Sequence, residues 1–179
     1  MEREVELLFS NEVLFDAAKR FNLRTDSLKL LGSFENYLYE GKRNDESYIL
    51  RLTHSSHRSS NMVLGELEWI NHLADNGVKV ARAYPSISNS LVEEILVDGS
   101  YFISSLFEKA EGELLRDNPD ALDRDLIVEW GKVIGKMHKV TKGFQPSIEA
   151  YKRPEWYEDD LIDFASHLPC EDEEVISIG

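Results

Sequence analysis

Two charged residues stand where charge is costly, and together they could hold phosphate. Tyr48 to Leu73 reads YILRLTHSSHRSSNMVLGELEWINHL. A short apolar run carries one cation, Arg51, and a helical pattern after a polar loop carries one anion, Glu66. On a helical wheel Met62, Trp69, Ile70 and Leu73 share a face, and Glu66 falls in its middle, whereas Glu68 points to the opposite side. A carboxylate on an apolar face is costly unless it is paired. Arg51, on the preceding rigid element, is the nearest cation to pair with it. Such a pair is either a structural ion pair between strand and helix or a device that aims a cation at nucleotide phosphates. Spacing alone does not separate the two.

Two further stretches could serve the same chemistry. Gly32-Ser33-Phe34-Glu35-Asn36 reads as a turn between strands. Its backbone N–H groups and the Ser33 and Asn36 side chains are suitable donors to phosphate, although an ordinary hairpin reads the same way. It is neither GxGxxG nor GxxxxGK[ST]. Glu108-Lys109-Ala110 ends the last apolar run. A backbone at such a junction can offer C=O and N–H groups to a flat heterocycle, or can be a plain linker.

Other chemistries find no support. The histidines are scattered without HExxH spacing, and no serine lies in GxSxG. Asp163-Phe164 is followed by Ala165 inside a helical pattern, so it is not a metal-binding DFG turn. Glu158, Asp159 and Asp160 read as an exposed acidic helix face, and Glu171–Glu174 as a solvated run. A net charge of −14 argues against a basic grip on nucleic acid or on an anionic membrane. The lone Cys170 allows no internal disulfide, the start carries acids where a signal peptide has bases, and no run approaches the ~20 apolar residues of a membrane span. The expectation is a cytoplasmic protein.

The elements that would position these residues follow from periodicity. Residues 11–21 place Val13, Leu14, Ala17, Ala18 and Phe21 at helical spacing, with Ser10 or Asn11 as cap. From Asp26 to Leu52 short runs rich in Leu, Tyr and Ile are broken at Gly32-Ser33 and Lys42–Ser47, the pattern of three antiparallel strands. The helix bearing Glu66 stops at Asp75-Asn76-Gly77, and residues 78–88 read as an extended connector. Leu91–Val97 and Tyr101–Phe107 flank Asp98-Gly99, a hairpin signal. After Glu108 the pattern is helical: Asp123–Lys142 carries the stripe Leu126, Ile127, Trp130, Val133, Ile134 and Met137, and 155–168 carries Trp156, Leu161, Phe164 and Leu168. Gly131 and Gly135 suggest close approach of another backbone. The fold class is α+β, a five-stranded antiparallel sheet with a packed helix followed by helices.

In this order LGSFENYLYEG, YILRL, GELEWINHLADNGVKVARAYPS, YFISSLFEKAEGELL and WGKVIGKMHK resemble the N-terminal part of the aminoglycoside phosphotransferase and choline kinase-like family, which has the protein kinase fold. The resemblance implies a nucleotide-binding N-terminal lobe over 1–108, a hinge over 109–113 and part of a helical C-terminal lobe over 114–179. It implies ATP- or GTP-dependent, Mg2+-requiring transfer of a phosphoryl group to a small-molecule hydroxyl, as on an aminoglycoside, choline or homoserine. Gly32, Ser33, Phe34 and Asn36 would form the phosphate loop. Arg51 would be the strand cation, where many members have lysine, and Glu66 its partner. Phe107 would back the base, and the backbones of Glu108 and Ala110 would receive the purine edge. The family's catalytic loop, HGDxxxxN, is not in these residues, and no histidine precedes Gly-Asp. The expectation is therefore a truncated chain with no catalytic residue and no metal ligand, inactive by itself, that self-associates through an exposed helix over 124–140. The alternatives are a pseudokinase-like module binding a nucleotide or partner, and a plain interaction domain in which Arg51 and Glu66 are structural.

Overall fold

Turn chemistry sets the sheet. The computed structural model describes residues 3–112, 115–118 and 122–152. Strand β2 (Tyr37–Arg43) returns as β3 (Glu46–His54) through Asn44 and Asp45, both at positive φ (49° and 67°). Two such residues make a turn whose twist matches the flanking strands, and Asn and Asp tolerate it best among residues with a side chain. Asp98 and Gly99 (φ 37° and 81°) do the same between β5 (Glu93–Val97) and β6 (Ser100–Glu108). β1 is Arg24–Gly32, and a short β4, Ala83–Tyr84, lies within the stretch expected to be a connector. The sheet thus has six strands rather than five, in the order β1-β2-β3-β6-β4, with β5 also paired to β6. Two residues with no apolar run gave no periodic signal, yet Ala83 and Tyr84 pair with Phe107 and Leu106.

The period of two divides β3 between two cores. Tyr48, Leu50 and Leu52 point to one face, where they join Tyr37, Phe102, Leu106 and the buried side of α2 (Asn11–Arg20). Val13, Leu14, Ala17, Ala18 and Phe21 are all buried there as their spacing predicts, and Ser10 caps the helix by accepting from the Val13 N–H. A further short helix, α1 (Arg3–Leu8), precedes it and buries Val5. The other face carries Ile103 and, packed against it, Phe107, covered by α3 (Ser60–Asp75) through Val63 and Leu67. Arg51 belongs to this second face.

The buried side of α3 is rotated from the expected one. Val63, Leu67 and Leu73 are buried, while Met62, Glu66, Trp69 and Ile70 are half-buried. Glu66 therefore stands at the border of the packed face, where pairing is cheaper than in its centre. The helix ends at Asn76, and Gly77 follows with φ 72°, as the stop signal implies. Helix α4 (Arg124–Thr141) is capped by Asp123, which accepts from the Leu126 N–H at 2.8 Å. Outside helix α4's own backbone, no described atom lies within 4 Å of a methyl placed on Gly131 or Gly135, so among the described residues no other backbone approaches these glycines closely. The helix expected over 155–168, with its acidic residues, lies outside the described residues.

Candidate functional site

The nucleotide-binding expectation rests on a pair, a turn and a junction, and the sheet brings all three to one face. Arg51 Nη1 donates to Glu66 Oε1 at 2.7 Å, with 16% and 18% of the two side chains exposed. In the ladder Arg51 lies between Leu38 of β2 and Ser105 of β6. The Arg51 guanidinium carbon lies 4.9 Å from the centre of the Phe107 ring. Arg51 Nε and Nη2 and Ser105 Oγ are buried and have no hydrogen-bond partner among the described residues. Buried donors without acceptors are uncommon and destabilising, and the face of an aromatic ring offsets only part of that cost for a cation.

The turn after Gly32 is fixed at one end. Asn36 Oδ1 accepts from Thr53 Oγ1 at 2.5 Å. Thr53 is two residues beyond Arg51 and shares its face, so this bond holds the turn beside the cation. Phe34 at the tip is 84% exposed, and a methyl on Gly32 would meet nothing within 4 Å. The turn is open on its outer side, with Ser33 exposed. Asn36 acts through its acceptor to anchor the turn, a role that its spacing did not reveal.

At the junction Phe107 is half-buried, and Glu108, Lys109 and Ala110 are exposed. The Glu108 N–H donates to the Arg82 carbonyl at 2.8 Å, so of Glu108 only the carbonyl could meet a purine edge. Lys109 Nζ reaches back to Glu40 Oε1 of β2 at 2.8 Å. The Lys109 ammonium, helped by Ser47 and working against burial, holds the Glu40 carboxyl below its ordinary range.

The opposite flank of α3 is held by residues that sequence patterning missed. Glu68 accepts from the Ser147 N–H at 2.9 Å and from its hydroxyl at 2.5 Å, and Trp69 Nε1 donates to Thr141 Oγ1 at 2.8 Å. Gly65, next to Glu66, faces the Tyr151 carbonyl so closely that an added methyl would lie 2.0 Å from the oxygen. A glycine inside an amphipathic pattern is a signal for such an approach. A cavity of about 550 Å3 beside Gly65, lined by Trp69, Phe144, Pro146 and Tyr151 among others, contains none of the expected nucleotide contacts. Among the described residues no group of three or more His, Cys, Asp or Glu could hold a metal ion. Arg51, with two buried donor nitrogens that have no partner among the described residues, is the cation this face could offer to an anion.

An antiparallel sheet with a strand cation paired to the glutamate of a helix packed on it is the architecture of a kinase-like N-terminal lobe. The chain belongs to the phosphotransferase enzyme family, whose sequence model matches residues 28–176. It is 35% identical over 171 residues to an amicoumacin kinase of Bacillus subtilis (strain 168), covering 94% of this chain and 50% of the relative. It also matches the structure of an amicoumacin kinase in complex with AMP-PNP, Ca2+ and Ami, at a TM-score of 0.89 and 32% identity, covering 99% of this chain and 53% of that one. A microcompartment-associated aminopropanol kinase matches with a TM-score of 0.68 at 20% identity over 83% of this chain and 46% of that one, which bears on the fold alone. The chain thus spans about half the length of the relatives it matches.

Proposed function

We propose that this chain is the nucleotide-holding part of an ATP- or GTP-dependent phosphotransferase that acts on a small-molecule hydroxyl. The observation that carries the reading is the Arg51–Glu66 contact of 2.7 Å on the same sheet face as the Thr53-anchored turn. A reaction that transfers a phosphoryl group needs charge stabilisation and positioning more than covalent chemistry. In this reading residues 1–108 form the nucleotide lobe, 109–113 the hinge and 114–179 part of the second lobe. Gly32, Ser33, Phe34 and Asn36 cover the phosphates, Arg51 contacts them, Glu66 orients Arg51, and Phe107, the Glu108 carbonyl and Ala110 meet the base. Mg2+ accompanies the nucleotide in the complete enzyme, with ligands outside the described residues. No helix among the described residues is long and apolar enough to cross a membrane, which is consistent with a cytoplasmic enzyme.

Because HGDxxxxN does not occur in these 179 residues, the chain by itself binds nucleotide without turnover. Thermal shift with ATP and Mg2+ tests binding, since a ligand specific for the folded state raises the melting temperature. No shift at millimolar nucleotide would reject the reading in favour of a structural pair in an interaction domain. Phosphoryl transfer above background by these 179 residues alone would reject the inactivity.

A further inference from the structure

We propose that Phe107 is a positioning residue for Arg51: its ring fixes the plane of the guanidinium that meets phosphate, in place of a role limited to walling the base. The inference rests on the nucleotide-binding reading above and adds to it a residue that acts on the phosphates from the base side of the site.

The register places the two together. Arg51 pairs with Ser105 across β3 and β6, and Phe107 is the next residue of β6 on that face. Diagonal neighbours of this kind are within reach of an aromatic ring and a long side chain. The guanidinium carbon lies 4.9 Å from the ring centre, inside the distance at which a cation is attracted to a ring face.

A planar cation needs two constraints, and Glu66 supplies one. The carboxylate takes Nη1 at 2.7 Å, which fixes a point but leaves rotation about that contact. Nε and Nη2 have no hydrogen-bond partner among the described residues, so hydrogen bonding does not set the plane. The ring face does. Lysine has no plane to set, and a stacked ring therefore has a use beside arginine that it lacks beside lysine. The half-buried ring also keeps solvent from that side of the cation, which strengthens its field toward an anion.

The test separates phosphate from base. Inorganic tripolyphosphate and adenosine are titrated separately into the 179-residue chain and its variants, followed by two-dimensional NMR. Phe107→Leu, which keeps the bulk and removes the ring face, is expected to weaken tripolyphosphate binding about three- to thirtyfold, the span of cation–π strengths. Phe107→Tyr restores it, and Phe107→Leu has no further effect in an Arg51→Met background. Loss of adenosine affinity with tripolyphosphate unchanged would overturn the proposal and leave Phe107 as a base wall. Unchanged affinity for both probes would overturn it as well. If the wild-type chain binds neither probe, the nucleotide-binding reading fails. A thermal double-mutant cycle on Arg51 and Phe107 then decides the inference: coupling supports the positioning contact, and additivity overturns it.

Discussion

The Thr53 hydroxyl donates to Asn36 Oδ1 over 2.5 Å and so joins β3 to the turn that leads into β2. Thr53 is 2% exposed, and Arg51 is two residues before it on the same face. The bond makes the position of the turn depend on the strand that carries the cation. Thr53→Val preserves shape and removes the donor. We expect it to cost about 1 kcal/mol in urea denaturation, because Asn36 can turn to water. Nucleotide affinity should fall by a larger factor than stability alone implies, since the turn is freed. Equal nucleotide affinity in both proteins would show that the turn does not contact phosphate.

Glu66→Leu removes the partner of a cation that is only 16% exposed. Exposed pairs contribute about 0.2–1 kcal/mol, and breaking a fully buried pair costs about 3–5 kcal/mol. The partial burial here places the expected loss near 2 kcal/mol by denaturant midpoint. Arg51→Met should cost less stability, because it keeps an apolar side chain beside Phe107 and removes two buried guanidinium nitrogens that have no hydrogen-bond partner among the described residues. It should nonetheless abolish the thermal shift with ATP. Greater loss of stability from Arg51→Met than from Glu66→Leu would contradict this ordering.

At Gly65 a methyl would lie 2.0 Å from the Tyr151 carbonyl oxygen. That oxygen is backbone, so the neighbour cannot rotate away. Gly65→Ala should either cost about 1–3 kcal/mol by overpacking or release the segment that bears Ser147 and Tyr151 from α3. Limited proteolysis distinguishes these outcomes: release gives new cleavage between Phe144 and Lys152 with the sheet intact. Resistance equal to wild type with unchanged stability would show that the contact does not constrain α3.

Much of this was legible from residue order. Turn residues marked the β2–β3 and β5–β6 hairpins, and helical spacing marked α2, with its Ser10 cap, and α4. Arg51 and Glu66 were found because each is a charge in an apolar pattern. What stayed hidden was relational. Thr53 carries no pattern until the register places it opposite Ile103 and beside Asn36. β4 is two residues long and exists only because β6 offers an edge. The sheet-facing side of α3 was misplaced because Met62 and Trp69 are as apolar as Val63 and Leu67. Trp69 is instead drawn toward Thr141, a partner distant in sequence.

Acid should loosen the contact between α2 and β5. Burial pushes the Glu93 carboxyl up, but hydrogen bonds from Ser86, Ser88 and Arg20 outweigh it and hold the group below its ordinary value of 4.5. The Ser86 hydroxyl donates at 2.6 Å and Arg20 Nη1 at 3.1 Å. A carboxyl depressed in the folded state binds fewer protons there than in the unfolded chain. Its stabilisation is full above the ordinary value and is lost as pH falls through the lower folded one. Glu93→Gln should therefore flatten the decline in melting temperature below about pH 4.5 while lowering stability at pH 7. Parallel pH profiles for the two proteins would show that this carboxyl is not linked to folding.

The apolar face of α4 carries the remaining prediction. Ile127, Trp130 and Ile134 are 55%, 53% and 52% exposed, and their spacing of three and four residues puts them on one stripe. Among the described residues α4 meets α3 where Thr141 accepts from Trp69, and Lys136 donates to the Gly77 carbonyl just past the end of α3. A contiguous stripe of this kind lowers its free energy by excluding water against another surface. In these 179 residues a second copy is the occupant we expect. Light scattering should show a dimer whose population rises with concentration. Trp130→Glu combined with Ile134→Glu should return a monomer with an unchanged melting temperature, because both positions face solvent in the single chain. A monodisperse wild-type monomer at high concentration would end the prediction. A dimer that survives the double substitution would move the interface elsewhere.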